Sequence, residues 1–177
     1  MNQEAGAKAL KVADFSSAVK YTESGMSFLD DSHWESHHQL MLEIHQTNIE
    51  ALYSCRNSSQ DLLKKRINQV FQHASNLEEE FKTHNIQIML LGKTNTQDVI
   101  AQCHKLLDRL GEPIDSLDVS PTFAMSELVR VKDSFAEEKH HFLSLPRMTD
   151  KIKICAMKIM SSLGKLLTGL VHLAQFL

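Results

Sequence analysis

The sequence predicts an all-α fold built from pairs of helices. Helix breakers are scarce, because the 177 residues include six glycines and three prolines, and the prolines lie late, at 113, 121 and 146. Apolar residues also recur every three or four positions, as expected for helices that bury one side. The clearest stripes are Leu40, Ile44, Asn48, Ala51 and Cys55; Leu63, Ile67, Val70, Phe71 and Ala74; and Val99, Cys103, Leu106, Leu107 and Leu110.

The breaks between these apolar stripes predict where each helix begins and ends. The first pair of helices is expected at 3–12 and 14–29, the second at 34–55 and 59–75, and the third at 77–91 and 96–110. Asp31 or Ser32 is placed to cap the second pair, and Glu35 follows Ser32 at the spacing of a capping box. The polar turns 57–59 and 94–96 lead into the helices predicted at 59–75 and 96–110. Gly111 followed by Pro113 predicts the end of the sixth helix.

The remainder of the chain reads as a separate helical segment. A polar link is expected at about 111–121, followed by helices at 122–135, up to about 144, and from Asp150 onward. The predicted organisation is therefore 1–112 as three helix pairs, 113–121 as a linker, and 122–177 as a C-terminal segment that is incomplete without further sequence. That inference about 122–177 comes from the apolar run in which the chain stops.

Two of the predicted turns share one pattern of polar, polar, Gln, Asp, apolar, apolar. They begin at Ser58 and Asn95, 37 residues apart, and 15–19 is a weaker third copy. A period of this length with two helices per unit is typical of tetratricopeptide (TPR) and related repeats. Each helix pair in such an array buries its apolar side on its neighbour. The fold class predicted is thus a TPR-like array of helix hairpins with a C-terminal helical extension.

Charge and cysteine content exclude several classes of protein. The net charge of -3 disfavours a dedicated nucleic-acid binder, which usually carries a basic excess. Three widely spaced cysteines do not make a secreted disulfide scaffold, and they favour a reducing, cytoplasmic location. The first 12 residues lack the apolar centre of a signal peptide, and the longest apolar runs fall short of a membrane span.

No candidate for catalysis or metal binding completes its motif. The triplet 92–94, Gly-Lys-Thr, resembles the end of a phosphate-binding loop, but Gln87 stands where that motif needs its first Gly. His33, His37, His38 and His45 offer imidazoles at helical spacing without a matching carboxylate or Cys, and a polar helix start is the alternative. The predicted protein is therefore not an enzyme, and no cofactor or metal is expected.

The last 32 residues carry five basic residues and one acid on a strongly apolar segment. The basic residues are Arg147, Lys151, Lys153, Lys158 and Lys165. A basic amphipathic helix of this kind binds acidic membrane surfaces. The alternative is burial against neighbouring helices, because the segment is apolar nearly all round past Lys165. Self-association through this segment is a further expectation.

Partner contact, if the chain is an interaction module, is expected at two groups of side chains. Arg56, Lys64, Lys65 and Arg66 form a basic cluster near one turn, which either faces an acidic partner or is a solvated helix side. Trp34 and Tyr53 are the best contact anchors if they are partly exposed, and the alternative for both is burial in the core between repeats.

Several stretches, taken together, resemble the helical-repeat region of large multidomain signalling proteins. The most specific are Leu145-Pro146-Arg147-Met148-Thr149-Asp150 and the block 156–163. The others are 5–9, 13–21, Gly25, 34–35, 40–42, 50–53 and 70–74. The resembled proteins join a protein-kinase-like domain, an AAA or STAND-type ATPase, this repeat region and often histidine-kinase domains. The resemblance covers roughly 5–165, departs from the family at Arg56 where Gly is usual, and implies a non-catalytic scaffold that contacts other domains or a protein partner.

Overall fold

The computed structural model describes residues 1–56, 58–92, 95–113, 126, 129, 130, 132, 133, 144 and 146–174, with side chains up to Lys165 in the last stretch. Within these ranges the chain is all-α and contains no strand. The helices are α1 (Asn2–Lys11), α2 (Phe15–Met26), α3 (His33–Ser36), α4 (His38–Ser54), α5 (Gln60–His73), α6 (Leu77–Leu91), α7 (Thr96–Arg109) and α8 (Lys151–Ala174). Most of the predicted linker and of the helices predicted at 122–144, and the residues Lys93 and Thr94, lie outside the described residues.

The chain forms two compact units, Met1–Leu90 and Leu91–Leu177. This division falls inside the third predicted helix pair, because nearly all of α6 belongs to the first unit and α7 to the second. In the second unit α7 packs against α8. The helices themselves lie close to their predicted positions.

Short turns with side-chain caps start α2, α5 and α7. Asp14 begins α2, where its carboxylate accepts a hydrogen bond from the backbone N–H of Ser17 at 3.1 Å. Ser59 and Asn95 cap α5 and α7 through their side-chain oxygens, as the polar turns predicted. Gly111, with φ of 74°, follows the end of α7 in the left-handed conformation that glycine adopts readily.

The predicted helix 34–55 is broken, and the predicted capping box does not form. His37 has φ -139° and ψ 44°, which separates the single turn of α3 from α4. The Ser32 side chain makes no capping hydrogen bond to α3. The Asp30 carboxylate accepts instead from the backbone N–H of Ser32, at 2.9 Å, and contacts the ring Nδ1 of His33 at 2.9 Å. A tight Asp30 turn thus replaces the cap that the sequence pattern predicted.

The first unit has one main core, to which α3, α4, α5 and α6 all contribute. Its buried members are Trp34, Met41, Leu42, Ile49, Leu52, Leu63, Ile67, Val70 and Ile86. A second cluster joins α1, α2 and α4 through Ala9, Ala18 and Ala51. The predicted stripe on α4 holds at Ile44, Asn48 and Ala51, but it is wrong at Leu40, whose residue surface is 39% exposed.

In the second unit the α7 stripe is confirmed and α8 is only partly buried. Val99, Cys103, Leu106 and Leu107 are buried on α7, and Ala156, Ile159 and Leu163 are buried on α8. Asp150 accepts hydrogen bonds from the N–H groups of Ile152 and Lys153, so α8 begins where it was predicted. Ile152 and Met157 are each 54% exposed. Across the described part of the chain, every helix is too short or too polar to cross a membrane.

Candidate functional site

The single tryptophan lies between two imidazole rings contributed by different helices. Trp34 on α3 is 5% exposed. Its ring stacks on His73 of α5, with centroids 4.5 Å apart and planes 4° apart, and on His45 of α4, with centroids 5.1 Å apart. Aromatic stacking at these separations adds to the stabilisation from burial. Trp34 is therefore a core residue that joins three helices. Of the two roles predicted for it, partner contact and burial in the core, the structure has the second.

A small cavity of about 70 Å³ opens beside this stack. We call it the Trp34 cavity. Apolar side chains and the indole form part of its wall, and polar or charged side chains form the rest. The lining residues are Met26, Leu29, Asp30, Asp31, Trp34, Met41, His45, Arg66 and Gln69.

Two nitrogen atoms of the cavity-lining side chains have no hydrogen-bond partner among the described residues. His45 is 3% exposed, and its Nδ1 is unpaired. The Nη1 of Arg66 donates to Oε1 of Gln69 at 3.1 Å, whereas the buried Nε is unpaired. Buried polar atoms in folded proteins are nearly always bonded to protein, water or a ligand. These two nitrogens are exceptions to that rule, and both are fully buried.

Burial and neighbouring positive charge set the protonation of the basic residues. Desolvation first, and then charge repulsion from Arg66 and His73, together lower the pKa of His45 to about 4. The pKa of Arg66 is also lowered by desolvation, against the opposing effect of Glu23. At neutral pH the cavity thus holds a neutral imidazole and a guanidinium, which stays charged in proteins.

The acidic side of the cavity is exposed. Asp30 and Asp31 both lie on the surface. The side-chain hydrogen bond from Ser32 is the main cause that lowers the pKa of Asp30, followed by the bond to His33. Because Asp30 already bonds to these neighbours, its charge is partly neutralised within its own turn.

The predicted basic cluster is divided among separate places. Lys64 and Lys65 line an open groove of about 490 Å³ on α5, together with Asp61, Asn68, Gln69 and Gln72. We call it the α5 groove. Arg66 instead lines the Trp34 cavity, and Gln69 lines both, so the groove and the cavity adjoin. A helix rotates about 100° per residue, which separates neighbours in sequence onto different sides.

Arg56 and Tyr53 lie away from the Trp34 cavity and the α5 groove. Arg56 is exposed and lines a third, open groove of about 430 Å³ with Asp14, Ser16, Cys55 and their neighbours. Tyr53 is half-buried and packs against the main core. Of the six predicted contact residues, the structure brings together Trp34 and Arg66 at one cavity and Lys64 and Lys65 at the adjoining groove. The predicted set omitted His45, His73 and Gln69.

Within the described ranges no group of three or more His, Cys, Asp or Glu side chains is placed to hold a metal ion. The free thiol of Cys103 is buried, which raises its pKa to about 11 and suppresses the reactive thiolate at neutral pH. Comparison of the chain with protein-family models, curated proteins and solved structures found no match in any of the three. The resemblance to ATPase-kinase repeat regions therefore stays a prediction.

Proposed function

We propose that this chain is a non-catalytic helical-repeat interaction module that binds a protein partner along the α5 groove. The observation that carries the proposal is the groove itself. It is an open polar surface on one helix, and it adjoins a cavity whose buried nitrogens lack partners among the described residues. Partner-binding surfaces commonly combine a polar rim with a deeper pocket at the centre.

The packing order of the first unit supports a repeat architecture. α1 packs against α2 and α4, α2 packs against α4, and α4 packs against α5. In a repeat array the first helix of a pair contacts its own partner and the following pair, and α1, α2, α4 and α5 follow that order. With the sequence resemblance, this supports a TPR-like segment that couples domains of a multidomain ATPase-kinase.

The charges of the α5 groove favour an acidic partner. Lys64 and Lys65 are exposed, and Asp61 is the acid among the groove-lining residues. Opposite charges on two surfaces speed their encounter and orient it, although exposed pairs add little affinity. An acidic segment of a partner, or of another domain of a parent protein, is the occupant that we propose.

Site-specific photocrosslinking in cells tests the proposal. A photoreactive residue at the exposed Asn68 of the α5 groove should give a discrete adduct. The same residue at the exposed Lys8 on α1 is the matched control and should not give that adduct. The paired change K64Q/K65Q should remove the Asn68 adduct without altering the folded state. Equal adducts from both positions, or an Asn68 adduct unaffected by K64Q/K65Q, would contradict docking along the α5 groove.

The length of the endogenous polypeptide tests whether this chain is a segment of a larger protein. We expect a product that extends into ATPase or kinase sequences. A 177-residue product would replace the coupling role by that of a stand-alone adaptor, and the α5 groove would remain its partner-binding surface.

A second candidate, peripheral membrane binding, is favoured by the exposed side of α8. Lys151, Lys158 and Lys165 are exposed and recur every seven residues, which aligns them along one side of the helix. Met157 and Met160 are exposed as well. Such a helix lies on anionic bilayers with apolar side chains inserted. Co-sedimentation with acidic vesicles at low salt, weakened by added salt, is the expected result, and failure to bind at low salt would exclude it.

A further inference from the structure

We propose that α3 is an acid-released lid, which the stack of Trp34 on His45 and His73 holds closed and which opens when the His45 ring takes up a proton. Opening exposes the indole and separates α3 from α4 and α5. The proposal goes beyond the docking role, because the movement of α3 requires no partner.

Within the described residues, ring contacts rather than hydrogen bonds attach α3 to the other helices. Every hydrogen bond that the structure describes for 33–36 stays within residues 30–37. Trp34 is the buried residue of α3, and its ring stacks on those of His45 and His73, with centroids 5.1 Å and 4.5 Å away. The Trp34 ring also lies 5.9 Å from that of His38. Whether α3 stays closed is therefore decided at the indole and the imidazoles around it.

The closed state holds the His45 ring where a proton is unfavourable. His45 is 3% exposed, and its Nδ1 has no hydrogen-bond partner among the described residues. Burial first, and then the positive charges of Arg66 and His73 on α5, lower the pKa of His45 to about 4. A protonated His73 can stay on the indole, because an aromatic face attracts cations. His45 is therefore the ring whose protonation opposes closure.

Within the described residues, no acid is bonded to the His45 ring. The acids around the lid are Glu23 on α2, Asp30 and Asp31 in the turn before α3, Glu35 on α3 and Glu79 on α6. Glu79 bonds to His38 at 2.9 Å, and Glu23 acts on Arg66. Asp30 bonds within its own turn, whereas Asp31 and Glu35 are exposed. Protonation of His45 in the closed state therefore gains no bonded counter-ion.

Acid favours the open state for this reason. Once α3 moves away, water reaches the His45 ring, which then takes up a proton near its ordinary pKa of 6.5. Between pH 6.5 and 4 the open state binds the extra proton, so the equilibrium constant for opening rises about tenfold for each pH unit. From pH 7.5 to pH 5 the rise is about 30-fold. A lid that is open about 1% of the time at pH 7.5 is then open roughly a fifth of the time at pH 5.

The single tryptophan makes the open state measurable. We would replace Trp34 by 5-fluorotryptophan in the full chain and record ¹⁹F saturation-transfer NMR spectra between pH 7.5 and 5 at constant ionic strength, since such experiments detect exchanging minor states. A minor signal at the chemical shift of the indole in the urea-unfolded chain is expected, with a ratio to the major signal that rises about 30-fold. Acrylamide quenching of the unlabelled chain should rise with it, while far-UV circular dichroism keeps its helical signal.

Variants assign the response to His45. His45→Phe keeps a ring for the stack but takes up no proton, so its open-to-closed ratio should change less than about threefold over the same pH range. His45→Gln also lacks the proton site and replaces His45→Phe if that variant does not fold. The matched control is His104→Gln, which removes an imidazole from α7 in the second unit and should keep the full rise.

Three results would overturn the proposal. One is an open population that does not rise between pH 7.5 and 5. Another is an equal rise in His45→Phe or His45→Gln, which would place the acid-sensitive group elsewhere. The third is loss of the helical circular dichroism signal in step with exposure of the indole, which would mean that the first unit unfolds as a whole. The docking role is tested separately, because the Asn68 adduct reports on the α5 groove whether or not α3 moves.

Discussion

Two packing regions of the first unit show opposite ways of joining helices. The first, which we call the small-residue interface, lies between α1, α2 and α4. Gly6 on α1 approaches Thr22 on α2 so closely that a Cβ on Gly6 would lie 2.7 Å from the Thr22 methyl group. The Thr22 hydroxyl donates to the Ala18 carbonyl at 2.7 Å and accepts from the Asn48 amide of α4 at 2.9 Å. There the Thr22 hydroxyl and the Asn48 amide nitrogen are buried in direct contact, while Oδ1 of Asn48 has no hydrogen-bond partner among the described residues.

The Trp34 cavity is the second region, and it is built from large rings. Trp34 on α3 stacks on His45 of α4 and on His73 of α5, and the cavity lies beside this stack. Small side chains let helices pack closely in the first region, whereas a cavity remains beside the stacked rings in the second. Ligand sites favour cavities over closely packed contacts.

Replacing the stacked ring should cause the largest loss of stability. Trp34→Ala is expected to lower the free energy of unfolding by about 3–5 kcal/mol, because a buried indole and two ring contacts are removed. Urea unfolding followed by far-UV circular dichroism measures the loss. Trp34→Phe keeps an aromatic ring and should cost less than half as much. A loss below 1 kcal/mol for Trp34→Ala would show that the stack does not hold the helices together.

The buried imidazole should make the ring-built region sensitive to acid. In the unfolded chain His45 takes up a proton near its ordinary pKa of 6.5, whereas in the fold it stays neutral down to about 4. The unfolded state therefore binds more protons in this window, and stability falls as the pH drops from 6.5 to 4, by about 3 kcal/mol in full.

Urea unfolding at several pH values between 7.5 and 4.5 tests that dependence. His45→Gln should remove most of the slope, and His37→Gln, at an exposed imidazole, should leave it. Stability that is carried by Glu79 is lost in a different range, below about 4.5, because hydrogen bonds, first that from the Ser75 backbone, lower the pKa of this carboxyl group. If the free energy of unfolding of His45→Gln still fell with decreasing pH, other titratable groups would be responsible.

An added methyl group should disturb the small-residue interface by a smaller amount. Gly6→Ala is expected to cost about 1–2 kcal/mol, since overpacking against Thr22 outweighs the gain in helix propensity. Thr22→Ser in the same chain removes the clashing methyl group, keeps the hydroxyl and should restore part of the loss.

Gly164 of α8 should show the opposite sign. Among the described residues, no atom outside the chain neighbours and the helix's own backbone lies within 4 Å of a Cβ built on Gly164, so Gly164→Ala should stabilise the helix by up to about 1 kcal/mol. Thermal unfolding of the wild type, Gly6→Ala, Thr22→Ser and the double variant gives the coupling between Gly6 and Thr22 directly. Additive effects of Gly6→Ala and Thr22→Ser would mean that the two helices adjust without strain.

The outer charges of α5 should matter least for stability. Lys64→Gln and Lys65→Gln are each expected to change the free energy of unfolding by less than about 0.5 kcal/mol, because both side chains are exposed. Their effect should appear in partner capture instead. Chemical denaturation beside the Asn68 crosslinking assay separates the two, and a loss above 1 kcal/mol would make these lysines structural.

The sequence was sufficient for most of the helices and for several of their ends, but only partly for the site. Ser59, Asn95 and Gly111 act locally, so their residue types were enough to place turns. The break at His37 lacks the Gly or Pro that would predict it from the sequence. It accompanies the stacking of Trp34 on His73, which is 39 residues away in the chain. Arg66 was grouped with Lys64 and Lys65 by sequence distance. Its place beside Leu63, Ile67 and Val70 on the buried stripe was the signal that it points elsewhere.

The single turn of α3 has a consequence for how the molecule opens. Four residues cannot sustain a helix through their own backbone bonds, so side-chain anchoring must hold α3 in place. The indole is its buried anchor. Backbone amides in α3 should therefore exchange with deuterium as one group, at a free energy below that of global unfolding, while amides in the middle of α4 remain protected. Native-state hydrogen exchange would then report the unstacking of one side chain as the lowest cooperative step of the fold.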